Sequence, residues 1–87
     1  KYEIISNDES GYGRYDLAMI PIKSNEKAYL MEFKISKTKK GMEERAQKAL
    51  KQIDEKKYDT KLKARGIKNI LKIGVAFYGK EVKVVFK

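Results

Sequence analysis

Five short runs rich in β-branched and aromatic residues are separated by polar clusters, and one longer run repeats its apolar residues at helical spacing. Tyr2 to Ser6 (YEIIS) predicts a first strand, ended by the polar cluster Asn7 to Ser10. Gly11-Tyr12-Gly13 supplies a turn, because glycine accepts positive φ. Arg14 to Ile22 (RYDLAMIPI) predicts a second strand, with Pro21 near its end where a ladder donor can be spared. The polar stretch Lys23 to Lys27 reads as a hairpin loop. Ala28 to Ile35 (AYLMEFKI) is the most apolar stretch and predicts a strand central in the sheet. A basic connection, Ser36 to Gly41, leads to a helix over Met42 to Lys57 with Met42, Ala46, Ala49, Leu50 and Ile53 on one face. Glu43 and Glu44 in its first turn and Lys56 and Lys57 in its last suit the helix dipole. Tyr58 to Ala64 adds a short helical stretch stopped at Gly66. Ile70 to Phe77 predicts a buried strand, turned by Tyr78-Gly79-Lys80 into a last strand, Glu81 to Phe86. The order β-β-β-α-β-β describes an α/β domain: a mixed sheet with a helical crossover between the third and fourth strands.

Alternation along the third strand puts Leu30, Glu32 and Lys34 on one face and Tyr29, Met31, Phe33 and Ile35 on the other. The second set is wholly apolar and is assigned to the core. Glu32 and Lys34 then point together, with Cα atoms roughly 7 Å apart. A carboxylate and an ammonium in such a strand are costly unless paired, hydrated or metal-bound. Asp16 stands alone in the apolar second strand, and a simple hairpin through residues 23–27 brings it to the face of Glu32. Two carboxylates that close repel, and a divalent cation relieves the repulsion. Lys34 beside them is placed to orient a water or to stabilise charge developing on a phosphoryl group. On the residues alone, a structural Asp/Glu–Lys cluster closing one face of the sheet fits as well as a metal site. Arg14 shares the face of Asp16, where it either clamps a phosphate or pairs with Glu9 or Asp16. Lys37, Lys39 and Lys40 follow the third strand directly and flank the mouth of the candidate site, although loop lysines are commonly just solvated.

Composition narrows the chemistry. Eighty-seven residues make one domain with one modest core, and 41% hydrophobic residues suffice to fill it. The chain has neither cysteine nor histidine, which excludes disulfides, thiolate metal sites and the commonest general base. Carboxylates, lysines, tyrosines and hydroxyls remain, a set that suits hard cations such as Mg²⁺. The formal net charge of +9 favours polyanionic partners, with nucleic acid ahead of anionic membrane. No apolar run approaches the length of a membrane span and no signal-peptide pattern is present, so a cytoplasmic location is expected. The chain opens at Lys1, without an initiator Met and almost at once in a strand-like run, which reads as an excised fragment.

Asp16, a loop, then Glu32-Phe33-Lys34 in a hydrophobic strand resembles the PD-(D/E)XK nuclease-like superfamily. The runs SNDESGYGRYD (Ser6 to Asp16), MEFK (Met31 to Lys34), ALKQIDEKKY (Ala49 to Tyr58) and IGVAFYGKEVKV (Ile73 to Val84) look like one branch of it. That branch lies C-terminal to bacterial AAA-ATPase-like domains. The resemblance implies a restriction-endonuclease-like core and hydrolysis of a phosphodiester in nucleic acid, DNA ahead of RNA. It implies Mg²⁺, with Mn²⁺ as a substitute, bound by Asp16 and Glu32, and Lys34 as the catalytic lysine. Gln52 and Tyr58 match the helix Gln and the following Tyr that sit near the site in related nucleases. The Pro that precedes the aspartate in the superfamily is Tyr15 here. Relatives also carry an upstream helix with an acidic residue that this chain lacks. Two further readings stand beside the nuclease: a non-catalytic nucleic-acid or protein-binding module of an AAA-ATPase-like protein, and an interaction domain whose strands pair with another copy in a homodimer.

Overall fold

A computed structural model describes residues 2–6, 17–22, 26–55 and 60–87. Its elements follow in the order β1 (Tyr2–Ser6), β2 (Leu17–Pro21), β3 (Ala28–Ile35), α1 (Met42–Glu55), α2 (Thr60–Ala64), β4 (Ile70–Tyr78) and β5 (Glu81–Phe86). The five strands form one sheet in sequence order, with β3 at its centre. Antiparallel pairs join β1 to β2, β2 to β3 and β4 to β5, whereas β3 and β4 run parallel with α1 and α2 between them. The predicted mixed sheet and its helical crossover are thus present. Of the predicted second strand, Ile22 falls past the end of β2, while residues 14–16, and 56–57 of the predicted first helix, lie outside the described residues; the last described turn of α1 carries no basic residue.

Local chemistry sets the turns. The α1 start is held by the Thr38 hydroxyl, which accepts from the Gly41 N–H at 3.0 Å, while the Gly41 carbonyl accepts from Arg45 N–H at 3.0 Å. At the end of α2, Gly66 has φ of 87°, its N–H bonds the Lys63 carbonyl, and the Ile67 N–H reaches the Leu62 carbonyl. That pair of bonds is a Schellman stop, and it points the buried Ile67 back into the core beside Leu62.

The buried residues of α1 are Met42, Ala46, Ala49, Leu50 and Ile53, the stripe predicted from the helical period. They pack on one face of the sheet, with Ile53 joining Ala18, Ile20, Ala28 and Leu30, and Met42 and Ala46 joining Ala76. This corrects the assignment of faces in β3. Leu30 and Glu32 are 0% and 7% exposed, while Phe33 and Ile35 on the wholly apolar side are 37% and 74% exposed. A strand in an α/β sheet has two faces to cover, and α1 covers the one that carries the charges.

Ion pairs fasten α1 to the far side of the sheet. Asp54 accepts from Lys72 of β4 at 2.6 Å and also pairs with Lys87, just past β5. The hydrogen bond from Lys72, and then that from Lys87, holds the Asp54 carboxyl below the ordinary carboxylate range. A depressed folded-state pKa adds stability that is present above the unfolded value of about 3.9 and is lost as pH falls through the folded value. Asp54→Asn is therefore expected to cost about 1–2 kcal/mol at pH 7, with the gap to the parent closing below about pH 4. Urea unfolding at pH 7 and pH 3 measures both. An equal loss at the two pH values would assign the effect to packing instead.

Candidate active site

Glu32 and Lys34 share one face of β3, as alternation predicted, and that face is the covered one, with Glu32 buried and Lys34 half-buried. What brings α1 down over them is the neighbouring strand. Glu32 pairs in register with Gly74 of β4, and Lys34 with Ala76. A Cβ added at Gly74 would stand 2.3 Å from the Ala46 carbonyl oxygen and 2.7 Å from the Leu50 amide nitrogen. Helix backbone therefore occupies the space that any other residue at position 74 would fill. The absence of a side chain there, and a methyl group at Ala76, let α1 lie low enough to bury Glu32.

Beyond β3 the chain leaves the sheet through a loop that leads into α1. Ser36 is buried; its N–H donates to the Phe77 carbonyl at 2.8 Å, and its hydroxyl donates to the Thr38 carbonyl at 2.6 Å. Arg45 reaches back from α1, its Nε donating to the Ile35 carbonyl at 3.3 Å. A cleft of about 450 Å³ opens here, lined by Ser36, Lys37, Thr38, Gly41, Glu44 and Arg45. Neither Ser36 nor Arg45 was singled out from the sequence. Arg45 looks like any other cation on the exposed side of an amphipathic helix, and its contact with β3 is tertiary.

The remaining candidates fall into three groups. Lys37, Lys39 and Lys40 are exposed in the loop after β3, as expected, but Lys39 already pairs with Glu81 at 3.4 Å, which reduces what it offers a phosphate. Gln52 is half-buried on α1 beside the buried Ile53, on the helix that covers Glu32. Arg14, Asp16 and Tyr58 lie outside the described residues, as do the turn glycines Gly11 and Gly13. Among the described residues no three acidic side chains converge as a metal cage. The donor chemistry on the covered face still fits a hard cation. Glu32 is a carboxylate in a site where an isolated charge is costly, and it has a lysine two residues along on the same face.

The chain matches the family model of the PD-(D/E)XK nuclease superfamily over residues 1–87. Neither a curated protein nor a solved structure matches it. The five-stranded mixed sheet with its crossover helix agrees with a restriction-endonuclease-like core.

Proposed function

The chain belongs to the PD-(D/E)XK nuclease superfamily, and from that premise we propose that it is a metal-dependent nuclease acting on DNA in preference to RNA. The observation that carries the reading is the burial of Glu32 beside Lys34 on the face under α1. Superfamily members generally use divalent metal ions and act on nucleic acid. Asp16 and Glu32 would hold one Mg²⁺, for which Mn²⁺ can substitute, and the ion would supply charge neutralisation at the phosphoryl group and a more acidic water. The described ladder of β2 and β3 ends with Leu17 opposite Met31. The reading requires only that it run one pair further, because the next residues on the two strands are Asp16 and Glu32. Lys34 donates to the attacking water or to a phosphoryl oxygen, and so stabilises charge as it develops. Gln52 and Tyr58 border the substrate, and Arg14 takes a neighbouring phosphate.

The loop lysines supply sequence-independent affinity. Changing Lys37, Lys39 and Lys40 together to Ala should weaken binding about equally for all sequences. It should also flatten the dependence of log affinity on log salt by about 2 on duplex DNA, with Lys39 contributing least because it is engaged with Glu81. Filter binding across a salt series reads this, and an unchanged slope would place the phosphate contacts elsewhere.

The direct test is incubation of the chain with single- and double-stranded DNA and RNA in Mg²⁺, Mn²⁺ or EDTA. Cleavage that needs the metal supports the enzyme. A second reading, a non-cleaving nucleic-acid or protein-binding module of an AAA-ATPase-like protein in the cytoplasm, draws on the net charge of +9, which attracts phosphate whether or not a bond is cut. Binding without cleavage under every metal condition selects that module.

A further inference from the structure

Arg45 is anchored by an uncharged partner. It is half-buried in the first turn of α1, and its Nε donates to the carbonyl of Ile35, the last residue of β3, at 3.3 Å. A guanidinium carries five N–H donors in a rigid fork, so four remain on the two terminal nitrogens. Among the described residues no carboxylate pairs with them. Two neighbouring acids are engaged elsewhere: Glu43 pairs with Lys83 at 3.2 Å and accepts from Gln47 at 2.8 Å, and Glu81 pairs with Lys39 at 3.4 Å. Arg45 instead lines the cleft of about 450 Å³, together with Ser36, Lys37, Thr38 and Glu44. Two cations against one carboxylate leave that cleft net positive. The Thr38 hydroxyl accepts from the Gly41 N–H, which leaves its own O–H to donate. Ser36 ties the cleft to the candidate site. It is buried, its N–H continues the ladder to the Phe77 carbonyl, and alternation puts it on the face of Lys34, with Cα atoms roughly 7 Å apart. The cleft therefore begins one side chain beyond Lys34.

We propose that this cleft seats a phosphate of a nucleic-acid strand, the one next along from the phosphate attacked, with Arg45 as the clamp that fixes the strand's register. Which phosphate is attacked rests on the proposed nuclease activity, whereas the binding itself does not. A phosphodiester presents two unesterified oxygens, and the planar guanidinium fork can grip both, where a lysine offers only a point charge. Anchoring Nε on a backbone carbonyl orients the fork before the strand arrives, so little side-chain freedom is lost on binding. Arg45 thus differs from the exposed loop lysines, whose attraction for phosphate carries little geometry. Contacts of this kind set position and do not read bases. A strand held one step past Lys34 presents its neighbouring phosphate to that lysine, and such positioning lowers the barrier to attack. Glu44, exposed on the rim, repels any anion and limits the affinity of the cleft.

Nuclear magnetic resonance of the ¹⁵N-labelled chain in EDTA, where nothing metal-dependent is cut, tests this with two probes, inorganic phosphate and a short single-stranded DNA oligonucleotide. The Arg45 Nε–H and the Thr38 and Gly41 amides should shift with both, and further with the oligonucleotide at equal phosphate concentration. Arg45→Ala should lose the amide shifts and weaken oligonucleotide binding about tenfold. It should also flatten the dependence of log affinity on log salt by about 0.7 on single strands. Arg45→Lys keeps the charge without the fork and should recover only part of that loss. Glu44→Gln should tighten binding about twofold, which a purely structural Arg45 does not explain. If Arg45→Ala lowers the urea midpoint, Arg45→Lys and Glu44→Gln decide the matter. No shift at these groups, equal shifts with the two probes, or parental affinity in Arg45→Ala would each overturn the assignment of the cleft. A parent that shows every expected shift yet cuts nothing with Mg²⁺ or Mn²⁺ would sink the nuclease reading instead, and leave the phosphate site standing.

Discussion

Replacing Lys34 with Ala is expected to lower metal-dependent cleavage by at least about 10²-fold while leaving nucleic-acid binding nearly intact. The lysine sits half-buried on the covered face of β3, two residues from the buried Glu32. On the proposed reading a charge placed there acts mainly on what reacts beside it, and the loop lysines provide most of the attraction for phosphate. Glu32→Gln should abolish cleavage for another reason, since a neutral amide no longer holds the cation. The two variants differ in thermal unfolding. Mg²⁺ or Mn²⁺ should raise the melting temperature of the parent, because a ligand stabilises the fold that binds it. Lys34→Ala should keep that rise, or enlarge it, since a positive neighbour opposes cation binding. Glu32→Gln should lose it, and so should Asp16→Ala. If Lys34→Ala cuts at the parental rate, the lysine is structural and its assigned role fails.

The second large effect is on the fold itself. Gly74→Ala is expected to destabilise the protein by about 1–3 kcal/mol, at the upper end of that range. The new methyl would meet the Ala46 carbonyl oxygen at 2.3 Å, and that atom belongs to helix backbone, which cannot rotate aside as a flexible side chain could. Relief requires α1 to lift from β4, which also uncovers Glu32 on the neighbouring strand. The midpoint of urea unfolding should fall without a change in slope, and cleavage should fall with it. Gly66→Ala provides a contrast: a Cβ there meets nothing within 4 Å, and the cost comes only from the positive φ of 87°. A Gly74→Ala protein as stable as the parent would show that the close approach of α1 does not hold the fold together.

Much of this architecture was legible in the chain because its local signals agree. The α1 stripe followed from apolar residues spaced three and four apart, and the β4–β5 hairpin from Gly79, which has φ of 58° in a two-residue connection. Alternation alone placed Glu32 and Lys34 on one side of β3. It could not tell which side is covered, because that depends on where a helix from later in the chain lands. An apolar face looks like core from sequence, yet the buried face of β3 is the one that carries Glu32. The mark of that landing site was Gly74 within a mostly apolar strand, a signal of close backbone approach that reads simply as part of a buried run. Arg45 left no mark, since its bond to the Ile35 carbonyl exists only after α1 has docked. The pairing of Asp54 with Lys72 and Lys87 was equally silent, because its members lie 18 and 33 residues apart in the chain.

The central claim is that Asp16 and Glu32 hold one cation beside Lys34. Anomalous difference density from crystals soaked in Mn²⁺ tests it most directly. The account predicts a single strong peak within ligand distance of carboxylate oxygens from both Asp16 and Glu32, displaced by excess Mg²⁺. Well-ordered crystals with no peak there, or with the Asp16 side chain on the opposite face of the sheet from Glu32, would contradict it.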